Sequence, residues 1–305
     1  MKNGEGAAAV GYRDLNGYYR ALFGGKVYRI ALSTPFTCPN RDGAKGTGGC
    51  AFCAEGSGAF AARGDLAAQL QAAKARVAAK FPKGEKRRFI AYFQTGTGTY
   101  GDLDLQRELF TRALADEEVA GLSVATRPDA LSDGSVALFR ELAEKKPVWV
   151  ELGLQTARDD VRDRMNCRYA AADFEDAVRR LRAASLPAVA HLILGLPGES
   201  HEDEIESVRF IARCGAAGVK FHLLHVLRGT ALADMPYSPL TLEEYVYRVT
   251  DLLRYLPKDV VVHRLTGDGA KKDLIAPLWS ADKKRVLNAI ARRIREAGIE
   301  QGEKA

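Results

Sequence analysis

The sequence predicts an α/β protein built on a partial (β/α)6 barrel of TIM-like type with a C-terminal extension. Three observations predict it. Apolar runs of strand length alternate with helical periodicity along most of the chain, some of those runs are polar on one face only, and no linker-like or low-complexity tract divides the chain. Strands over 27–33, 88–94, 121–127, 148–155, 188–196 and 219–227 alternate with helices over 65–80, 104–116, 135–145, 173–184, 202–214 and 241–256. A short strand over 260–265 and a basic helix over 281–297 complete the reading. Strands joined by helices of this length require right-handed crossovers and a parallel sheet.

Six such units suit either an open doubly wound sheet or a partial barrel, and the strand period discriminates. In VWVELGLQ, Val148, Val150, Leu152 and Leu154 share one face, while Trp149, Glu151, Gly153 and Gln155 share the other. A strand buried on both sides of an ordinary parallel sheet is apolar throughout. In RFIAYFQ, Tyr92 and Gln94 likewise fall on one face. Polar groups lining a barrel wide enough for a ligand explain both. The simplest division is an N-terminal extension over 1–20, a core over 21–265 and a C-terminal helical extension over 266–305, with 1–10 and 298–305 expected to be mobile.

The chain has 305 residues, 47% hydrophobic and 28% charged, the balance of an ordinary globular protein. No apolar run approaches the roughly 20 residues that span a bilayer, and the N-terminus offers no signal-peptide core. A cytoplasmic protein without a membrane partner is expected. Net charge is +6 and the pI about 9.0, which favours a polyanionic partner only weakly.

Of five cysteines, three crowd into CPNRDGAKGTGGCAFC, directly after the first strand, at the expected mouth of the barrel where βα loops carry chemistry. Cys50 and Cys53 form a Cys-x-x-Cys pair, and Cys38 precedes them across a glycine-rich stretch. The spacing points to metal rather than to free thiols. A structural zinc site wants four ligands; Cys167, Cys214 or a histidine could supply the fourth, although no second Cys-x-x-Cys or His-x3-His pair is present. A [4Fe–4S] cube held by three thiolates instead leaves one iron open to a ligand.

With that loop, the runs ATRPDAL (125–131), VELGLQT (150–156), HLILGLPGE (191–199), KFHLLHVLRGT (220–230) and HRLTGDG (263–269) resemble the radical SAM superfamily. Within it the resemblance is to the YhcC/YtqA-like bacterial subgroup, related to the radical SAM domain of the Elongator catalytic subunit. It runs from about Leu32 to Trp279. It implies a [4Fe–4S] cluster on Cys38, Cys50 and Cys53, whose open iron chelates S-adenosyl-L-methionine and whose electron cleaves it to a 5′-deoxyadenosyl radical. Phe52 is implied near the adenine, with plain loop packing as the alternative, and Gln94 and Thr95 at the methionyl amine. Glu151 and Gln155 are candidates for the ribose hydroxyls and the methionyl end, or else a buried hydrogen-bonded pair. Gly195 is implied where the backbone passes the adenine.

His191, Lys220 and His222 are candidates for the substrate side, His191 also reading as a core histidine. The subgroup's usual arginine is replaced by Cys167, so Arg168 or Arg164 is expected in its place, or the contact is lost. The loop after Gln94 departs from the subgroup by carrying Gly96 and Gly98, which suggests either extra mobility or a shape for a different substrate. The resemblance implies a tRNA substrate modified at its wobble uridine, and an unidentified electron donor. The alternatives are a radical SAM enzyme acting on a small molecule or peptide, and a non-catalytic zinc-binding module that contacts RNA.

Overall fold

A computed structural model describes residues 11–54, 64–267, 269 and 271–305. Seven strands form one parallel sheet in the order β1 (Tyr28–Leu32), β2 (Phe89–Phe93), β3 (Val119–Thr126), β4 (Val148–Gln155), β5 (Ala188–Leu194), β6 (Gly218–Leu223) and β8 (Val261–Arg264). The order never reverses. Same-handed crossovers then put every helix on one face, whereas a doubly wound sheet needs a reversal. The sheet also curls: from β1, Arg29 reaches Glu151 on β4 and, at 3.4 Å, the ring of His263 on β8. β1 and β8 are not hydrogen-bonded to each other, so the barrel is open along that seam.

The outer layer comprises α2 (Leu66–Ala78), α3 (Leu103–Ala115), α4 (Asp133–Ala143), α6 (Ala171–Ala183), α7 (His201–Cys214) and α8 (Leu242–Arg254). Their starts are set by local chemistry, since Asp65, Asp102, Ser132, Ser200 and Thr241 each accept a first-turn amide. Between helices and sheet lies the main core, to which β4 gives Val148, Val150, Leu152 and Leu154, all buried. Each such side chain contributes about 1.5–3 kcal/mol.

Four features depart from the sequence reading. Helix α1 (Leu15–Phe23) lies across the expected boundary at residue 20 and belongs to the barrel. Its Tyr19 packs with Val27, Ile90, Trp149 and Val189 into a separate apolar cluster. These four lie at the N-terminal ends of strands or on the inner sheet face, so the cluster plugs the bottom of the barrel. A short helix, α5 (Asp159–Arg164), precedes α6. The expected strand over 219–227 breaks after Leu223, where the chain leaves the barrel and β7 (Val226–Leu227) pairs antiparallel with β9 (Leu274–Ala276). The C-terminus is anchored rather than loose. Ile299 is buried, and the Gln301 amide donates to the carbonyls of Pro257 (2.6 Å) and Val260 (2.8 Å). The other expected mobile end, 1–10, lies outside the described residues.

Helix α9 (Lys283–Glu296) buries Val286, Ile290 and Ile294 along one stripe and leaves its basic residues on the opposite face.

Candidate cofactor site at the mouth of the barrel

Cys38, Cys50 and Cys53, none of them in a disulfide, line one cavity of about 1680 Å3 that opens where the strands end. Their loop is held from both sides. The Cys53 amide donates to the Cys50 carbonyl (2.9 Å), closing a turn, and Arg41 donates to the Cys53 carbonyl (2.6 Å). Asn40 donates to the Asn166 carbonyl (2.5 Å), Asn166 donates back to Gly49 (2.7 Å), and the Ala51 amide donates to Met165 (2.8 Å). Against burial, the Cys167 thiol, Arg127, Asn40 and Arg41 lower the Cys50 pKa, the Cys167 hydrogen bond foremost.

Among the described residues no three His, Cys, Asp or Glu side chains are grouped to hold a metal ion. In a cube each thiolate has its own iron, so thiols spread around a cavity suit a cluster better than one ion. The donor set fits it in a second respect: the Thr95 hydroxyl, buried beside the cysteine loop, has no hydrogen-bond partner. A ligand in the cavity would satisfy it.

Phe52, Gln94, Thr95 and Gln155 all line this cavity, as do His191, Lys220 and His222. Gln155 sits in the left-handed region (φ 69°), turning the strand end at the mouth. The loop after Gln94 packs closely: a Cβ at Gly96 would lie 2.9 Å from the Phe36 carbonyl, and one at Gly98 2.6 Å from that of Ala125. Those glycines permit a close approach, of Gly96 to the segment before Cys38 and of Gly98 to β3.

Beneath the mouth, six strands contribute to one buried ion layer. The Glu151 carboxylate accepts from Arg29 and Ser123 (2.5 Å) on one oxygen, and from Lys220 and His191 (2.8 Å) on the other. The Tyr92 ring lies under Arg29 at 3.9 Å. Burial alone would raise the Glu151 pKa, but Arg29 and Lys220 hold it well below the usual carboxylate range. Burial, then Lys220, lowers His191 to about 4, so the ring is neutral and donates to Glu151. Burial, with Arg29 next, also drives the Lys220 ammonium well below its ordinary value. A carboxylate has about four acceptor sites, and here all four are used. Glu151 therefore anchors the layer instead of offering itself to a ribose, and the alternative pairing with Gln155 is absent from its partners.

Three expectations meet other geometry. Arg168 is exposed, donates to Asn166 (2.6 Å) and lies off the cavity wall; Arg164 is also exposed, beside Asp160. Gly195 adopts φ 83°, but what crowds it is Leu240, 3.0 Å from a Cβ there, not the cavity. Cys167 is fully buried among Val161, Met165 and Tyr169, a small apolar residue against Cys50. Sequence reasoning missed Arg127 and Arg29. Arg127 lines the cavity, pairs with Asp129 through two 2.9 Å bonds and stacks on Tyr169. Its signal was an arginine at a strand end inside ATRPDAL. For Arg29 the signal was a lone charge inside an apolar strand.

Residues 38–211 match the family model of the Radical SAM superfamily, and 216–296 that of the Radical_SAM C-terminal domain. The chain is 39% identical over 298 residues to the uncharacterized protein YtqA of Bacillus subtilis, covering 95% of this chain and 92% of that one. It is 26% identical over 190 residues to a tRNA uridine(34) acetyltransferase of Dehalococcoides mccartyi, covering 60% of this chain and 40% of that one. Among solved structures, archaeal Elp3 of Methanocaldococcus infernus superposes with a TM-score of 0.70 at 18% identity, over 90% of this chain. This chain spans 64% of the length of that archaeal protein. The curled parallel sheet, three thiols at its mouth and a family match over more than half the sequence make this chain a member of the radical SAM superfamily, an enzyme of the [4Fe–4S] cluster and S-adenosyl-L-methionine.

Proposed function

We propose that the enzyme modifies the wobble uridine of tRNA in the cytoplasm. One observation carries the reading: Lys283, which opens the basic helix α9, lines the same cavity as the three cysteines. Cations at a cavity mouth attract a phosphate backbone, and an anticodon loop presents unpaired bases that reach into a pocket without duplex opening. The name of the Dehalococcoides relative points to the same nucleoside.

Cys38, Cys50 and Cys53 would hold the cluster, which when bound supplies the electron that cleaves S-adenosyl-L-methionine. Gln94 and the orphaned Thr95 hydroxyl would hold the methionyl end, Gln155 would reach the cofactor from β4, and Phe52 would pack beside its adenine. Arg127, already held by Asp129, lines that wall, and Arg168 does not. The aromatic plug and the ion layer below would keep water from the reacting atoms.

The test is nucleoside mass spectrometry of tRNA from cells lacking the gene. Loss or truncation of one wobble-uridine derivative is expected. An unchanged profile would refute the tRNA assignment and leave a small-molecule or peptide substrate.

A further inference from the structure

The ion layer is unbalanced. Arg29 and Lys220 share one carboxylate, Glu151, inside the barrel, and Arg264 adds its field at Lys220. A buried cation without its own counter-ion is costly.

Two nitrogens there have unused hydrogen-bonding capacity. The Lys220 ammonium has three N–H groups, and the described partners, Glu151 and Tyr92 (3.1 Å), take two of them. His222, two residues further along β6 on the same face, buries its Nε2 with no partner. Its ring lies 5.2 Å from that of His191, which Glu151 already engages. Surplus charge and orphaned nitrogen therefore face one space.

We propose that Lys220 and His222 form an anion-binding step within the barrel that receives an acidic group, such as a carboxylate, borne by the substrate. The inference rests on the tRNA reading in one respect. Backbone phosphates stay at the mouth, because Lys220 is only 3% exposed beneath it. The acid must then be carried on an arm of the base. A free small-molecule acid offers the same chemistry without RNA. The step adds selectivity, since an uncharged arm would leave Lys220 and His222 unfilled.

The experiment uses the cluster-loaded enzyme and two anticodon stem-loop RNAs. In one the wobble uridine carries an arm ending in a carboxylate, in the other the same arm ending in a primary amide. Fluorescence anisotropy at fixed salt should show the acid bound about tenfold tighter or more. Lys220→Gln and His222→Leu should each bring that ratio close to one. If Lys220→Gln fails to fold, His222→Leu, which breaks no ion pair, carries the test. Wild-type enzyme that binds both RNAs equally overturns the proposal. So does an equal loss of S-adenosyl-L-methionine affinity in both variants, which would give the step to the cofactor. If neither RNA binds, the same acid and amide are tried as free nucleosides. A Lys220-dependent preference for the acid then keeps the anion step and removes the tRNA reading, whereas no preference overturns both.

Discussion

The two ends of the barrel are built on opposite principles. At the bottom, Tyr19, Phe23 and Trp149 meet edge to face, with ring centroids 5.4–6.5 Å apart, and the ion layer above them uses every acceptor of Glu151. At the mouth, none of the three thiols is in a disulfide, and the Thr95 hydroxyl and, deeper in the barrel, His222 Nε2 are buried without partners. The same inner face of β4 passes from Trp149 through Glu151 to Gly153 and Gln155, from packing to charge to open space. Apart from the Tyr19 hydroxyl, which is buried without a partner, the polar groups named at the bottom are satisfied, whereas those named at the mouth and below it leave room for a ligand.

This contrast predicts where substitutions act. Glu151→Ala leaves Arg29 and Lys220 facing each other without a counter-ion, and should cost about 3–5 kcal/mol of unfolding free energy in urea titrations. Trp149→Ala opens the plug and should cost a comparable 3–5 kcal/mol. If either proves neutral, the bottom of the barrel is not what holds it shut.

A pH-dependent effect belongs to the rim. Glu199, just before α7, accepts from Thr156 at 2.5 Å, and burial raises its pKa from 4.5 to about 8. Because the folded value lies above the unfolded one, its contribution is fully present below about pH 4.5 and is lost as pH rises through about 8. Glu199→Gln should therefore gain on wild type across that window, by at most about 1.4 kcal/mol per pH unit. The gain should level off above it. A constant difference between the two proteins would show that the carboxyl ionises normally.

At the mouth, Gln155→Ala should weaken S-adenosyl-L-methionine binding by about tenfold, the loss of a hydrogen bond to a charged group, with the melting temperature unchanged. Neutralising Lys283, Lys284 and Arg285 together should reduce the log–log salt dependence of tRNA binding by roughly 2–3. An unchanged slope would remove α9 from the RNA path.

Most of the outer architecture was legible because each element carries local signals: β4 appears where period and length place it, and Asp65 and Ser132 open their helices. Even α1 was marked, by Asp14 before Leu15, Tyr19 and Phe23 at helical spacing, with Gly24 closing it at φ 69°. The ion layer was not legible. Arg29 meets Glu151 across 122 positions and Lys220 meets it across 69, and only sheet order brings them together. The polar face of β4 announced that something was inside the barrel, while the partners that occupy Glu151 had to come from other strands. Arg168 misled for a related reason: adjacency in sequence to a missing arginine does not carry its side chain over the rim.

The central claim is that the two ends are separable, one for stability and one for the cluster. The direct test measures iron, sulfide and melting temperature in wild type, Cys50→Ala and Trp149→Ala after anaerobic reconstitution, with Cys214→Ala as the control in the outer core. Wild type, Cys214→Ala and the folded fraction of Trp149→Ala should each hold about four irons and four sulfides per chain. Cys50→Ala should hold none, yet melt within a few degrees of cluster-free wild type. Stoichiometric zinc without sulfide in wild type, or a Cys50→Ala chain that does not fold, would contradict the account.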